Sequence, residues 1–226
     1  MRLSNKILLG FFGFIFLYLT AAIAEVRFTG IPNIVNDKNS IAETVDISGV
    51  SYLVVNGIDK HVSVIGSDRA ELEVRSLSGN LLAKLTYRIS GDTLTLSDLQ
   101  SEDFESIRIS VYVPKASLKG ITLANAKASV RGLLPAQLNI VQASGSISMM
   151  DSRITAMNVD MSLSHLDISE TKIDTLSGRM EKSEVNIYSP LGVVQGDIKD
   201  GTLLRLTDIG EIQLKKDESS RLMIYQ

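Results

Sequence analysis

The sequence predicts an all-β chain: a right-handed parallel β-helix of about six coils of 18–20 residues, preceded by antiparallel β-hairpins and an N-terminal membrane-targeting helix. Three observations predict it. Apolar pairs two apart recur as Ala128/Val130, Ile147/Met149, Leu166/Ile168, Val185/Ile187, Leu204/Leu206 and Leu222/Ile224, with steps of 19, 19, 19, 19 and 18. Two further columns keep the same period. One runs Ile121/Leu123, Leu138/Ile140, Met157/Val159, Leu176/Met180, Val194/Ile198 and Ile212/Leu214; the other runs Leu134, Ile154, Ile173, Leu191 and Ile209. Finally, the chain opens on a basic hexapeptide followed by a long uncharged stretch.

The opening comes first in order. "MRLSNK" carries Arg2 and Lys6, and residues 7–24 then run 18 positions without a charge. Such a stretch directs a chain to the membrane with its basic end on the cytoplasmic side. Ala22 and Ala24 stand at −3 and −1 of a signal-peptidase site before Glu25, which reads residues 1–24 as a signal peptide. Eighteen apolar residues also reach the lower limit for spanning a bilayer, which reads the same residues as a retained anchor making membrane contact through 7–24. Either way the rest of the chain lies outside the cytoplasm, secreted or tethered. Residues 25–45 mix Gly, Pro, Asn and Asp and read as a spacer.

From 46 to 117 short alternating strands follow one another: "SYLVVNG", "HVSVIG", "AELEVRSL", "AKLTYRI", "DTLTLS" and "IRISVYVP". Asn56-Gly57, Gly66-Ser67-Asp68, Ser78-Gly79-Asn80 and Gly91-Asp92 punctuate them, and "RISGDTLTL" reads as a hairpin turning at Gly91-Asp92. The acidic "LQSEDFESI" reads as a loop. Residues 46–226 thus form a single domain, with hairpins over 46–117 and regular coils over 118–226.

The coils follow from the period. Side chains two apart on a strand share a face. With two or three short strands per turn of about 19 residues, all the pairs face one axis and successive turns stack Leu on Ile on Val. No turn buries its apolar face alone; only the stack makes a core. Parallel coils of this kind are right-handed for the steric reason that governs crossover connections. Gly178 and Gly196 fall between inward residues and suit tight corners or close backbone approach. An antiparallel sandwich also alternates, but it does not hold one phase across five steps.

These features resemble the bacterial head GIN-domain family, whose members carry an autotransporter-adhesin label. The resembling stretches are "VSYLVVNGIDKHVSVIGSDRAELEVRS", "ISVYVPKASLKGITLANAKASVRG" and the "SGSISM" turn at 144–149. Val111, Val113, Pro114, Leu118, Ile121, Val130 and Gly132 fit the family's middle passage. The resemblance covers roughly 46–226. The chain departs from the pattern in having few Ser-Gly-Ser-Gly rungs, Ser144-Gly145-Ser146 being the best. The resemblance implies a right-handed β-helix, an envelope location on the periplasmic or extracellular side and a surface-interaction role, and it brings no catalytic residues.

Composition narrows the chemistry. With 23 basic and 26 acidic residues and a net charge of −3, there is no field with which to neutralise phosphates, so nucleic acid is excluded as a partner. There is no Cys, hence no thiolate nucleophile and no acylated lipoprotein Cys. His61 and His165 are the two histidines; neither has a second His at ligand spacing, and both read as surface residues. Ser144 and Ser146 flank Gly145 in a turn with no base nearby. Asp160, Asp167, Asp174, Asp197, Asp200 and Asp208 are scattered over successive coils as solubilising acids. Residues 196–202, "GDIKDGT", have the turn residues of a cation loop without the calcium-coil repeat. The acidic loop residues Glu102, Asp103 and Glu105 read as solvated. Lys115, Lys119, Lys127 and Arg131, with Lys215 and Lys216, form a basic series that reads as a dispersed solvated face. No catalytic residue, metal ligand or cofactor is expected.

One place remains. "SSRLMIYQ" supplies the last inward pair, and Leu222, Ile224 and Tyr225 mark an edge that can make contact, through end-to-end self-association or a partner strand. The function expected is a non-enzymatic binding or adhesion scaffold at a bacterial cell envelope, its partner an envelope protein or a glycan. The alternatives are a polysaccharide-active enzyme on the same rod and an anchored envelope-sensing or assembly subunit. An outward face matched over three successive coils favours a ligand.

Overall fold

The computed structural model describes residues 10–21, 23, 40–99 and 106–225. The acidic segment 100–105 and the boundary at Ala24 lie outside these residues. Residues 10–21 and 23 are helical. Among the described residues no helix is long and apolar enough to cross a membrane.

Among the described residues the β unit contains 19 strands and one 3₁₀ turn, Leu82–Lys84. In chain order the first strands are β1 (Ile41–Asp46), β2 (Tyr52–Asn56), β3 (His61–Ser67), β4 (Glu71–Ser76), β5 (Leu85–Ser90), β6 (Thr93–Leu99) and β7 (Ile107–Pro114). Next come β8 (Gly120–Ala124), β9 (Lys127–Arg131), β10 (Gln137–Ala143), β11 (Ser146–Met150), β12 (Arg153–Ser162) and β13 (His165–Ser169). The last are β14 (Lys172–Glu181), β15 (Glu184–Tyr188), β16 (Leu191–Lys199), β17 (Leu203–Thr207), β18 (Ile209–Lys216) and β19 (Arg221–Tyr225). They build two facing sheets. Sheet A runs β1-β4-β7-β3-β9-β11-β13-β15-β17-β19, and sheet B runs β18-β16-β14-β12-β10-β8-β2-β6-β5.

From β8 onward each coil is one strand of sheet B followed by one of sheet A, and every neighbour pairing is parallel, giving the six expected coils. The core is a stack of registered apolar residues. On sheet A, Ala128, Ile147, Leu166, Val185, Leu204 and Leu222 are successive partners, and Val130, Met149, Ile168, Ile187, Leu206 and Ile224 lie two residues on. All but Leu222 and Ile224 are buried.

The antiparallel strands expected before the coils are present: β5 and β6 form the hairpin turning at Gly91-Asp92, and β1, β4 and β7 pair antiparallel. The same segment also supplies two more parallel coils, β2–β3 and β6–β7. The β2–β3 coil lies between β6–β7 and β8–β9, so spatial order departs from chain order and the 19-residue period is invisible here.

The spacer reading of 25–45 gives way at its end, because Ile41–Asp46 is β1 and pairs with all of β4. Alternation is masked there by Glu43, whose carboxylate accepts the backbone N–H groups of Leu81 and Leu82 at 2.7 and 3.1 Å. Two column assignments also shift. Leu134 is 50% exposed, and Pro135, 19 residues before Ile154, is the buried member. On sheet B, Ile121 pairs with Ile140 and Leu123 with Gln142, two residues on from the apolar match. Gln142 is buried all the same, its amide donating to the His165 carbonyl at 2.9 Å.

Both corners between the sheets are built by periodic left-handed residues. Asn125, Ser144, Leu163, Lys182 and Asp200 have φ of 48–55° and occupy successive coils. Asn125, Ser144, Leu163 and Lys182 each donate a backbone N–H to a carbonyl of the next coil, which holds even Leu163 and Lys182 in a conformation costly for their type. Buried hydroxyls stack just beyond. The N–H of Ser164 donates to Ser183 Oγ at 3.2 Å, and the N–H of Ser183 to Thr202 Oγ1 at 3.4 Å; Ser183 Oγ donates to the Glu181 carbonyl at 2.7 Å. The opposite corner repeats this with Ser152, Thr171 and Ser189. Ser183→Ala leaves a buried N–H and a carbonyl without their partner, and urea titration should show a loss of about 1–3 kcal/mol.

Candidate functional site

The outer faces of the two sheets carry the polar chemistry. In a parallel stack, residues in register form rows perpendicular to the strands, so what a row displays repeats every coil. On sheet B one row alternates charge, Asp160, Arg179, Asp197 and Lys215, and its neighbour is uncharged: Asn139, Asn158, Ser177, Gln195 and Gln213.

Sheet A is more specific. Ser63, Ser129, Ser148, Asp167, Asn186 and Arg205 are successive partners in one row, while Ser146, His165 and Glu184 fall in the next. Where the serines stop, side chains connect three coils. Asp167 Oδ2 meets His165 Nε2 at 2.7 Å, and its Oδ1 accepts the Asn186 amide at 2.8 Å. Arg205 donates to Asn186 Oδ1 at 2.9 Å and to Glu184 Oε1. Glu184 Oε2 lies 3.7 Å from His165 Nδ1, closing the circuit. Hydrogen bonding to Glu184 raises the Arg205 pKa further, with charge interactions from Glu184, Tyr225 and Tyr188 adding to it; Arg205 is a fixed cation on this face. Tyr188 and Tyr225 stand two coils apart at the same strand end, about half exposed, and flank the network with Met223.

The residues singled out from sequence fall in different places. His165 and Asp167 join the network. His61 lies opposite Lys127, and burial, then that charge, hold its pKa below the usual imidazole value. Ser144 and Ser146 bracket a corner, with Ser144 in the left-handed conformation. Asp160 and Asp197 are in the sheet B row, Asp174 lies 3.9 Å from Lys172, and Asp208 is a corner residue. Gly196–Lys199 belongs to β16, and Asp200-Gly201 is its corner, so 196–202 is strand and turn rather than a cation loop. Lys119 precedes a strand of sheet B while Lys127 and Arg131 sit at opposite ends of a strand of sheet A, so they form no patch. Leu222, Ile224 and Tyr225 lie on β19, the outermost strand of sheet A. Among the described residues no group of three or more His, Asp or Glu side chains could hold a metal ion.

Glu184, Asn186 and Arg205 escaped the sequence reading. Their signal was present: 167, 186 and 205, like 165 and 184, are 19 apart.

The last corner closes on itself. Asp217 accepts the N–H groups of Asp200 at 2.7 Å and Ser220 at 2.9 Å, and the Ser219 hydroxyl at 3.1 Å. Hydrogen bonding from Ser220, the Asp200 N–H and Ser219 lowers its pKa to about 2. Since this is below the unfolded carboxylate value, the stabilisation is present above about pH 4 and disappears as pH falls toward 2. Asp217→Asn should therefore be less stable than the parent at pH 7, with the gap closing between pH 4 and 2 in urea titrations.

No family model matches the chain, and no curated protein matches it. Solved structures do. A putative adhesin from Bacteroides fragilis is similar at a TM-score of 0.61 and 12% identity, with 84% of this chain and 98% of that one covered. A putative adhesin from Parabacteroides merdae gives 0.40 at 10% identity, with 84% and 98% covered. A putative lipid binding protein from Parabacteroides distasonis gives 0.39 at 12% identity, again with 84% and 98% covered. At these identities the likeness is one of fold, and the first structure carries it.

Proposed function

We propose that this chain is a non-enzymatic binding scaffold of the head GIN-domain type, exported to a bacterial cell envelope, whose ligand face is the C-terminal half of sheet A. The observation that carries the reading is the network of His165, Asp167, Glu184, Asn186 and Arg205, matched across three coils and flanked by Tyr188 and Tyr225. Fixed acids, an amide and a guanidinium beside two exposed phenol rings suit a glycan or a polar segment of an envelope protein. The shared fold of the putative adhesin from B. fragilis supports the same class. His165 faces carboxylates from both ring nitrogens, an arrangement suited to holding a surface rather than to activating a nucleophile.

The N-terminal residues 1–24 serve export and leave the scaffold secreted or tethered. The test is a glycan array together with crosslinking in the producing cell, using the parent and the pair Arg205→Ala and Tyr188→Ala. Signals lost in both variants, with folding intact by circular dichroism, are expected. Binding that survives both variants overturns this choice of face.

A further inference from the structure

The two ends of the solenoid differ. At the N-terminal end the core is closed: Leu72 and Val74 of β4 are fully buried with β1 as their outer neighbour, and so is Leu81, in the turn that Glu43 fastens. At the other end β18 and β19 have no strand on their outer side among the described residues, and the core columns finish half-covered at Ile212, Leu214 and Leu222, with Ile224 47% exposed.

Each of these edge strands is self-complementary about its own centre. If β18 runs antiparallel to a second β18 with Gln213 opposite Gln213, then Glu211 faces Lys215 and Ile212 faces Leu214, each twice. If β19 does the same about Met223, Leu222 faces Ile224 and Arg221 faces Tyr225, each twice. The backbone agrees. Asp217 and Arg221 direct their N–H groups back to Ile198 and Thr202 of the preceding coil, so by alternation Ile212, Leu214, Leu222 and Ile224 present theirs to the free edge. Those four are the residues that must exchange hydrogen bonds in both antiparallel pairs. A two-fold axis normal to the sheets satisfies β18 and β19 together, since it returns each sheet to its own plane while reversing its strands.

We propose that the occupant of this edge is a second copy of the chain, joined end to end about that two-fold axis. Sheets A and B then run uninterrupted through the dimer. Ile212, Leu214, Leu222 and Ile224 become core, and Glu211 pairs with Lys215 across the outer surface. The contact is isologous, so it stops at two and does not propagate into a fibre.

The chain has no Cys, which gives a direct test in the full-length protein, in detergent where residues 7–24 require it. Gln213 and Met223 each face their own counterpart at a non-hydrogen-bonded position, where Cα atoms are about 4.5 Å apart and a disulfide can form. Gln213→Cys and Met223→Cys should oxidise to covalent dimers, while Ser129→Cys on a central coil should form no covalent crosslink. In sedimentation the parent should have twice the monomer mass. Glu211→Lys, and separately Lys215→Glu, should weaken the dimer at least tenfold, and the double exchange should restore it. The four edge positions, Glu211, Gln213, Lys215 and Met223, are solvent-facing, which keeps the fold intact. A monomeric parent with no crosslink at 213 overturns the proposal. So does a dimer indifferent to the single charge reversals, which would place the contact elsewhere.

Discussion

Gly178→Ala should abolish the native fold or lower its stability by an amount on the order of 3–5 kcal/mol, far more than a single methyl group costs elsewhere. A Cβ at this position would stand 1.8 Å from the Val159 carbonyl oxygen, backbone of the preceding coil that cannot swing aside, and φ is +145°. The next coil repeats the device. Gly196 is the register partner of Gly178, with φ of +131° and room for a Cβ only 1.9 Å from the Gly178 carbonyl oxygen. Two consecutive coils therefore nest backbone on backbone at one point of sheet B. Thermal melting of Gly178→Ala against Ser177→Ala, its neighbour on the outer face, checks the claim. The serine variant should stay within about 0.5 kcal/mol of the parent. Equal effects would mean that the close approach is not what limits the site.

Leu166→Ala should cost about 2–5 kcal/mol. Leu166 is fully buried and stacked between Ile147 and Val185, with sheet B in front of it and no water-filled side to collapse into. A cavity in the middle of a column also interrupts the contact between two halves of the stack, because each coil touches only its neighbours along the axis. Leu222→Ala, in the same column but at the half-covered end, should cost under half as much in the monomer. The pair measured together by urea unfolding separates the loss of a side chain from the loss of a stack.

How much of this was legible in the residues depended on whether the pattern was local. Six coils could be counted from Ala128 to Leu222 because each partner is the residue one period on. The first two coils could not, since β2 pairs with β6 and β8 and no fixed spacing connects the three. Polar residues in apolar places caused the remaining slips. Gln142 occupies an inward site of sheet B, which drew the column two residues away, and Glu43 hid the alternation of β1. Leu134 lost to Pro135 because residues 132–136 are a connection between strands, in which Leu133 and Pro135 are buried and Leu134 is not, and composition does not choose among them. The network on sheet A was half visible. His165 and Asp167 drew notice as chemical types, but Arg205 and Asn186 matter through their registry with Asp167, which becomes evident only once the period is applied to outward residues as well as inward ones.

The out-of-order coil has a consequence for assembly in time. Synthesis delivers a chain from its N-terminus, so residues 52–67 emerge early and then wait: Tyr52 finds Thr93 on one side and Gly120 on the other only after both have followed. Closing those long loops is the entropically expensive step. Thereafter each new coil lands on a finished template one period back, and addition is rapid and repetitive. The same asymmetry governs mechanical load. Tension on the C-terminal coils peels them away singly, whereas tension on residues 52–67 must draw one coil out from between two others. The protein is thus interlocked at the N-terminal end of the solenoid and zippered at the C-terminal one.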